Sequence, residues 1–256
     1  MLSKNNIKYI RSLKLKKFRQ KYNKFVVEGN KIALEMIQSG SITIENIYAL
    51  SSWVKTNEHL LKFHNDKLRL VSEKELQKIS FLKTPNEVLI VAEAFDNQVD
   101  GATVLNGVSL FLDGIQDPGN MGTIIRTADW FGIESIFCSP NCVSLYNSKV
   151  LQSTMGAFLR VKVIELSFEE LKNKFPNLPV YGTILGGENI FESHLEDKGI
   201  IVIGSEGNGI SDSVIEQLDY RITIPTNSVN GSESLNAAVA TGIVCAIFKN
   251  NKYVKK

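Results

Sequence analysis

The stretch VSLFLDGIQDPGNMGTIIRTADWFG, residues 108–132, contains the reading on which the fold turns. Val108 to Leu112 is an almost unbroken apolar run, which suits a strand of a parallel sheet covered on both faces. A glycine-bearing loop follows and runs into a predicted helix from about Thr123 to Phe131, with Met121, Ile124, Ile125, Ala128 and Phe131 as its apolar stripe. Strand, loop and helix in that order predict an α/β architecture.

The same rhythm runs outward in both directions. Downstream, strands are predicted at 135–138, 161–164, 180–183, 200–203 and 221–224. Helices are predicted at 148–155, 168–174, near 212–217 and at about 234–248. Upstream, strands at 25–27, 43–50, 68–71 and 87–94 alternate with helices, one of them opened by a Ser72/Glu75 capping box. Between the halves, DNQVDGATVLNG (96–107) has the Gly, Asn and Asp content of a linker. The expected organisation is a small α/β domain over 1–96, a linker over 97–106 and a larger α/β domain over 107–256.

The chain has 256 residues, 43% hydrophobic and 22% charged, enough for a large core. This composition excludes disorder, collagen and coiled coil. No apolar run reaches the roughly 18 residues of a membrane span, and the N-terminus lacks a signal-peptide pattern, so a soluble, cytoplasmic protein is expected. Cys138, Cys142 and Cys245 form no CxxC pair, and three histidines give no zinc spacing; free thiols and no metal are expected. Residues 1–27 carry nine Lys or Arg and no acid, while the rest holds 20 basic and 27 acidic residues, a net of −7. A solvated helix face accounts for such a run, as does a polyanion partner, with nucleic acid foremost. Helical spacing of Ile7, Ile10, Leu13 and Phe18 predicts one amphipathic helix over 4–20.

Three loops carry the candidate chemistry, each just past a predicted strand, where open α/β sheets bind ligands. They are DPGNMGTIIRTADWFG (117–132), GSEGNGIS (204–211) and IPTNSVNGSESLNAAVATG (224–242). The glycines of the second loop suit close backbone approach to a ligand, or merely a tight turn. Their GxxGxG order does not meet the dinucleotide fingerprint. Glu206 between two glycines has little side-chain company, although a capping carboxylate is the alternative. Arg126 suits either a plain surface position or a phosphate contact. Asn120 and Ser234 are candidate helix caps, with Asn236 in the first turn of the last helix. Trp53 and Trp130 sit among apolar neighbours and are expected in the core, and His194 at the surface.

Together the three loops resemble the motifs of the SpoU-type RNA ribose 2′-O-methyltransferases, the TrmH-like branch of the SPOUT class. NMGTIIRTADWFG resembles the first motif, GSEGNGIS the second, and Ile224–Pro225 followed by SLNAAVA the third. FVVEGNKIALEMI (25–37), KTPNEVLIVAE (83–93) and TMGAF (154–158) extend the resemblance across nearly the whole chain, the first two looking like an RNA substrate-binding domain. The loop between Pro225 and Ser234 is about two residues longer than the family's usual one.

The resemblance implies a trefoil-knotted catalytic domain, an S-adenosylmethionine (AdoMet) cofactor and a homodimer formed through that domain. It also implies donor contacts at Thr183, Gly204, Ile224 and Leu235, and a catalytic set of Asn120, Arg126, Glu206, Ser234 and Asn236. The implied partner is ribosomal or transfer RNA. Because a guanidinium does not readily lose a proton, Arg126 is read as a clamp on phosphate and 2′-oxygen. Glu206 then orients Arg126 or takes the proton itself. A catalytically silent RNA-binding or assembly protein of the same fold is the alternative, and a Rossmann-type small-molecule enzyme is a third.

Overall fold

The larger of two sheets is six-stranded and wholly parallel, as the apolar runs around 108–112 and 200–203 predict. The computed structural model describes residues 1–95, 98, 100–226 and 234–254, with side chains to residue 250.

The chain opens with two helices, α1 (Lys4–Ser12) and α2 (Lys16–Tyr22), where one was predicted. The break has a side-chain cause: Arg19, 9% exposed, donates from one guanidinium nitrogen to the carbonyls of Leu13 (3.2 Å) and Lys14 (2.8 Å). That guanidinium takes carbonyls that a continuing helix would have used. Then come β1 (Lys24–Glu28), α3 (Asn30–Ser39), β2 (Ile44–Ala49), α4 (Ser51–Thr56), α5 (Glu58–Leu61), β3 (Leu68–Leu70), α6 (Glu73–Ile79) and β4 (Val88–Glu93). The Ser72/Glu75 capping box starts α6 as expected. These strands form a sheet in the order β1-β4-β2-β3, with β4 antiparallel to β1 and β2, and β3 parallel to β2. Ile10 and Leu13 are buried against Leu76, Ile79, Leu89 and Val91, so the basic N-terminal segment contributes to this core while its lysines face outward.

The stretch 97–106, expected as a linker, contains a short helix, α7 (Gly101–Leu105), capped by Asp100. Its Val104 is fully buried with Phe111 and Val180, an apolar contact that local polarity concealed. Beyond it lie β5 (Val108–Asp113), α8 (Pro118–Trp130), β6 (Ser135–Cys138), α9 (Ser148–Thr154), β7 (Lys162–Glu165), α10 (Phe168–Lys174), β8 (Val180–Asn189), β9 (Gly199–Gly204), α11 (Asp212–Ile215), β10 (Tyr220–Thr223) and α12 (Ala237–Val254). The strands run in the order β10-β8-β9-β5-β6-β7.

Two compact units result, Met1–Asp96 with Ser144–Leu159, and Asn97–Val143 with Arg160–Lys256. The stretch 144–159 therefore departs from the simple division expected near residue 100. Phe25 makes ring contacts with Phe95, Tyr146 and Phe158, and this aromatic cluster draws the later stretch into the first unit. Among the described residues no helix is long and apolar enough to cross a membrane.

Candidate active site

Strands β5 and β9 run side by side at the centre of the sheet with Asp113 opposite Gly204, so the first two candidate loops leave it at the same end of the strands. Past β5, Asp117 caps α8 by accepting from the Asn120 backbone N–H at 2.8 Å, with Pro118 in the first turn. Asp117, not Asn120, is thus the cap, and the Asp-Pro pair is the sequence signal that marked it. The Asn120 side chain is left available for other work.

Past β9 the chain doubles back. Ser205 and Gly209 exchange two backbone hydrogen bonds of 3.0 and 2.9 Å, closing a turn with Glu206 at its exposed tip. Gly209 has φ +66°, and a Cβ on Gly204 would collide with the backbone of Gly209 and Ile210. Gly204 and Gly209 therefore have a steric and a backbone reason, whereas a Cβ on Gly207 would meet open space.

The third loop enters through α12, which packs against α8. Asn236 Oδ1 accepts from the backbone N–H groups of Ala238 (3.0 Å) and Val239 (3.3 Å), so Asn236, rather than Ser234, caps this helix. Its Nδ2 donates to Asn120 Oδ1 at 2.9 Å, and Asn120 Nδ2 donates in turn to Glu206 Oε1. One member from each loop joins a single chain of donors that ends on a carboxylate. Among the described residues no further side chain donates to Glu206, which leaves lone pairs for a hydroxyl arriving from solvent.

Beside this chain lies a cavity of about 450 Å³ whose lining includes Thr183, Gly204, Ile224, Ser234 and Leu235, together with Leu185, Ser205, Glu206 and Ala240. All four expected donor-contact positions therefore face one space, within the range typical of small-molecule sites. The Thr183 hydroxyl donates to the Val202 carbonyl at 2.9 Å, an internal strand bond. Arg126 stands exposed on α8, about 9 Å along the axis from Asn120. Among the described residues neither Arg126 nor Ser234 hydrogen-bonds to the Asn120–Glu206–Asn236 chain, and Glu206 accepts from Asn120 rather than from Arg126, which it was expected to orient. The longer loop before Ser234 falls on 227–233, outside the described residues.

Trp53 is buried at 2% exposure as expected, but Trp130 is 85% exposed at the end of α8, contrary to its apolar sequence neighbours. The α8 stripe of Met121, Ile124, Ile125 and Ala128 faces inward and leaves Trp130 on the other side. His194 is exposed. Among the described residues no group of His, Cys, Asp or Glu is placed to hold a metal ion. Behind the β5 terminus, Cys142 is half-buried and donates to the Leu112 carbonyl at 3.2 Å. A hydrogen bond from Cys138, aided by Ser139 and the backbone N–H groups of Ile115 and Gly114, lowers its thiol to about 7 against the opposing effect of burial. Burial pushes Cys245 up to about 12.

Asp113 escaped the sequence reading. It is 6% exposed, and its Oδ2 accepts from both the backbone N–H (2.8 Å) and the hydroxyl (2.6 Å) of Ser211. An acid ending an otherwise apolar parallel strand was the available signal.

Residues 107–246 match the SpoU rRNA Methylase family and residues 4–90 the MRM3-like substrate binding domain. The chain is 28% identical to the 23S rRNA (guanosine(2553)-2′-O)-methyltransferase RlmP of Bacillus subtilis, covering 93% of each protein. A TrmH-family structure from Porphyromonas gingivalis is 34% identical and superposes with a TM-score of 0.87 over 98% of this chain and 99% of that one. The AdoMet-bound rRNA methyltransferase of Sinorhizobium meliloti shares the fold at 23% identity, with a TM-score of 0.84 over 98% and 97% of the two chains.

Proposed function

Because the chain belongs to the SpoU rRNA methylase family, and is therefore an RNA 2′-O-ribose methyltransferase, we propose that it draws its methyl group from S-adenosylmethionine and acts on ribosomal RNA in the cytoplasm. The observation that carries this reading is the Asn236–Asn120–Glu206 chain at the rim of the 450 Å³ cavity. It also favours catalysis over a silent RNA-binding role, because a protein that only bound RNA has no use for a carboxylate oriented by a relay of two amides. The ribosomal choice, rather than transfer RNA, draws on the Bacillus subtilis relative, whose name specifies a guanosine of 23S rRNA.

The cavity fits the cofactor in volume and in chemistry. Gly204, Ile224 and Leu235 offer backbone groups and apolar surface, and Thr183 lines the same wall with its hydroxyl donating to the Val202 carbonyl. When bound there, the cofactor supplies an electrophilic methyl group that moves to the ribose oxygen. The chain's own residues do the rest. Glu206, steadied by Asn120, accepts the proton of the 2′-hydroxyl as that oxygen becomes a nucleophile. Asn236 fixes Asn120 while capping α12, so the rigid end of a helix sets the direction of the carboxylate. Arg126 clamps the neighbouring phosphate and stabilises negative charge developing on the 2′-oxygen. Ser234 lines the cavity where donor and acceptor meet.

The exposed lysines of α1 and α2 supply a phosphate-binding face on the substrate-binding unit. The catalytic unit forms a homodimer, a reading supported by the 85% exposure of Trp130 and the 52% exposure of Val239 on two mutually packed helices. The trefoil knot that the resemblance implies accords with the route from β9 across β8 to β10 and back to α12 against α8.

Mapping of 2′-O-methyl groups in total ribosomal and transfer RNA from cells lacking this gene tests the reading. Loss of one ribosomal methyl group, restored by the purified enzyme with S-adenosylmethionine, is expected. Loss confined to transfer RNA overturns the choice of substrate, and an unchanged map with no transfer in vitro overturns catalysis.

A further inference from the structure

The loop that carries Glu206 departs from β9 at Gly204 and is back in contact with the sheet at Ser211. One residue holds both ends. Asp113 pairs with Gly204 in the parallel ladder of β5 and β9, and its carboxylate takes the backbone N–H and the hydroxyl of Ser211 at 2.8 and 2.6 Å. At 6% exposure this carboxylate is largely out of water, where an acid persists only with hydrogen-bond donors supplied to it. Both donors come from Ser211. Ser211 in turn stands at the N-terminal end of α11 without using its own side chain as a cap, so its hydroxyl is committed to Asp113.

Between those two fixed ends, the Ser205–Gly209 backbone pair leaves a tip of three residues, Glu206 to Asn208, whose direction follows from the direction of the turn. We infer that Asp113 is a positioning residue for methyl transfer: by tethering Ser211 it sets the turn that aims Glu206 at Asn120 and shapes the cavity wall formed by Gly204, Ser205 and Gly207. The inference rests on the role given to Glu206 above. Asp113 touches neither the reacting oxygen nor the methyl group and acts only through the turn. A displacement of about 1 Å at a reacting group costs up to about a hundredfold in rate, so a tether behind the first layer of residues is sufficient to matter.

The experiment compares Asp113→Asn, Ser211→Ala, Ser211→Thr, Glu206→Gln and the double variant Asp113→Asn/Glu206→Gln in the full chain, measuring single-turnover rate, calorimetric S-adenosylmethionine affinity and melting temperature. Asp113→Asn is expected to slow transfer about tenfold to a hundredfold and to weaken cofactor binding several-fold. Ser211→Thr, which keeps the hydroxyl, should recover most of what Ser211→Ala loses. In the Glu206→Gln background the Asp113 change should alter the rate by less than about twofold, because the group it aims is gone. Lower melting with a normal rate and affinity in the folded protein overturns the inference and leaves Asp113 a stability residue; so does a full additional rate loss in the double variant. Should Asp113→Asn fail to fold, the Ser211 pair carries the same comparison. A wild-type rate in Glu206→Gln instead overturns the proton-acceptor assignment, and the effect of Asp113→Asn on cofactor affinity then judges the tether by itself.

Discussion

Asn236 donates from Nδ2 to Asn120 Oδ1 at 2.9 Å across 116 residues of sequence, and Asn120 passes the orientation on to Glu206. The first amide is fixed from behind, because its own oxygen caps α12. The carboxylate is therefore oriented through two side-chain amides, of which the first is anchored on the backbone of a helix.

Asn120→Ala is expected to slow transfer about tenfold to a hundredfold, because Glu206 loses its orienting donor and Asn236 its acceptor. The melting temperature should move little, since the cluster is solvent-exposed. Single-turnover kinetics beside a melting curve measures both. A variant with intact rate would show that the chain of amides is only structural.

Arg126→Ala should cost about 10²–10³ in rate while calorimetric titration with S-adenosylmethionine stays unchanged, since the guanidinium is assigned to RNA and transition state. Arg126 is absent from the cavity lining, in accord with that division. An equal loss of cofactor affinity would transfer Arg126 to the donor site.

Neutralising Lys8, Lys14, Lys17 and Lys21 together should flatten the dependence of RNA affinity on salt by about 3 in the log–log slope. All four are exposed, so the melting temperature should hold. Deleting the whole segment is a poorer test, because it removes Ile10 and Leu13 from the core and each such loss costs about 2–5 kcal/mol. An unchanged slope in the lysine variant removes this face from RNA binding.

The wild-type chain should scatter light as the proposed dimer at micromolar concentration and Trp130→Glu as a monomer, because a charge replaces an 85% exposed indole on the surface proposed to pair. A dimer that persists in this variant moves the interface elsewhere.

Cys142 should react with a small alkylating reagent along a curve that rises through about pH 7 and levels off above it, since the thiolate is the nucleophile and its hydrogen-bond donors favour that form. Cys138 and Cys245, both buried and pushed upward, should lag far behind under native conditions. Peptide mass spectrometry of the alkylated protein distinguishes the three sites.

Much of this architecture was legible in local pattern. The strand at 108–112, the helix at 168–174, the Ser72/Glu75 box and the placing of three loops at strand ends all follow from apolar periodicity and capping chemistry, which act over a few residues. The sequence by itself thus determined the α/β class, the parallel character of the main sheet and the identity of the loops that meet. Tertiary structure alone decided the rest. It exchanged the caps to Asp117 and Asn236, split the first helix at Arg19, drew residues 144–159 to the first unit and exposed Trp130. It also gave Asp113 both ends of the Glu206 turn. Each of these rests on which partner a side chain finds. Several of the partners lie on neighbouring strands or helices about a hundred residues away, a distance over which periodicity carries no information, whereas burial forces every polar group to find some donor or acceptor and so selects one.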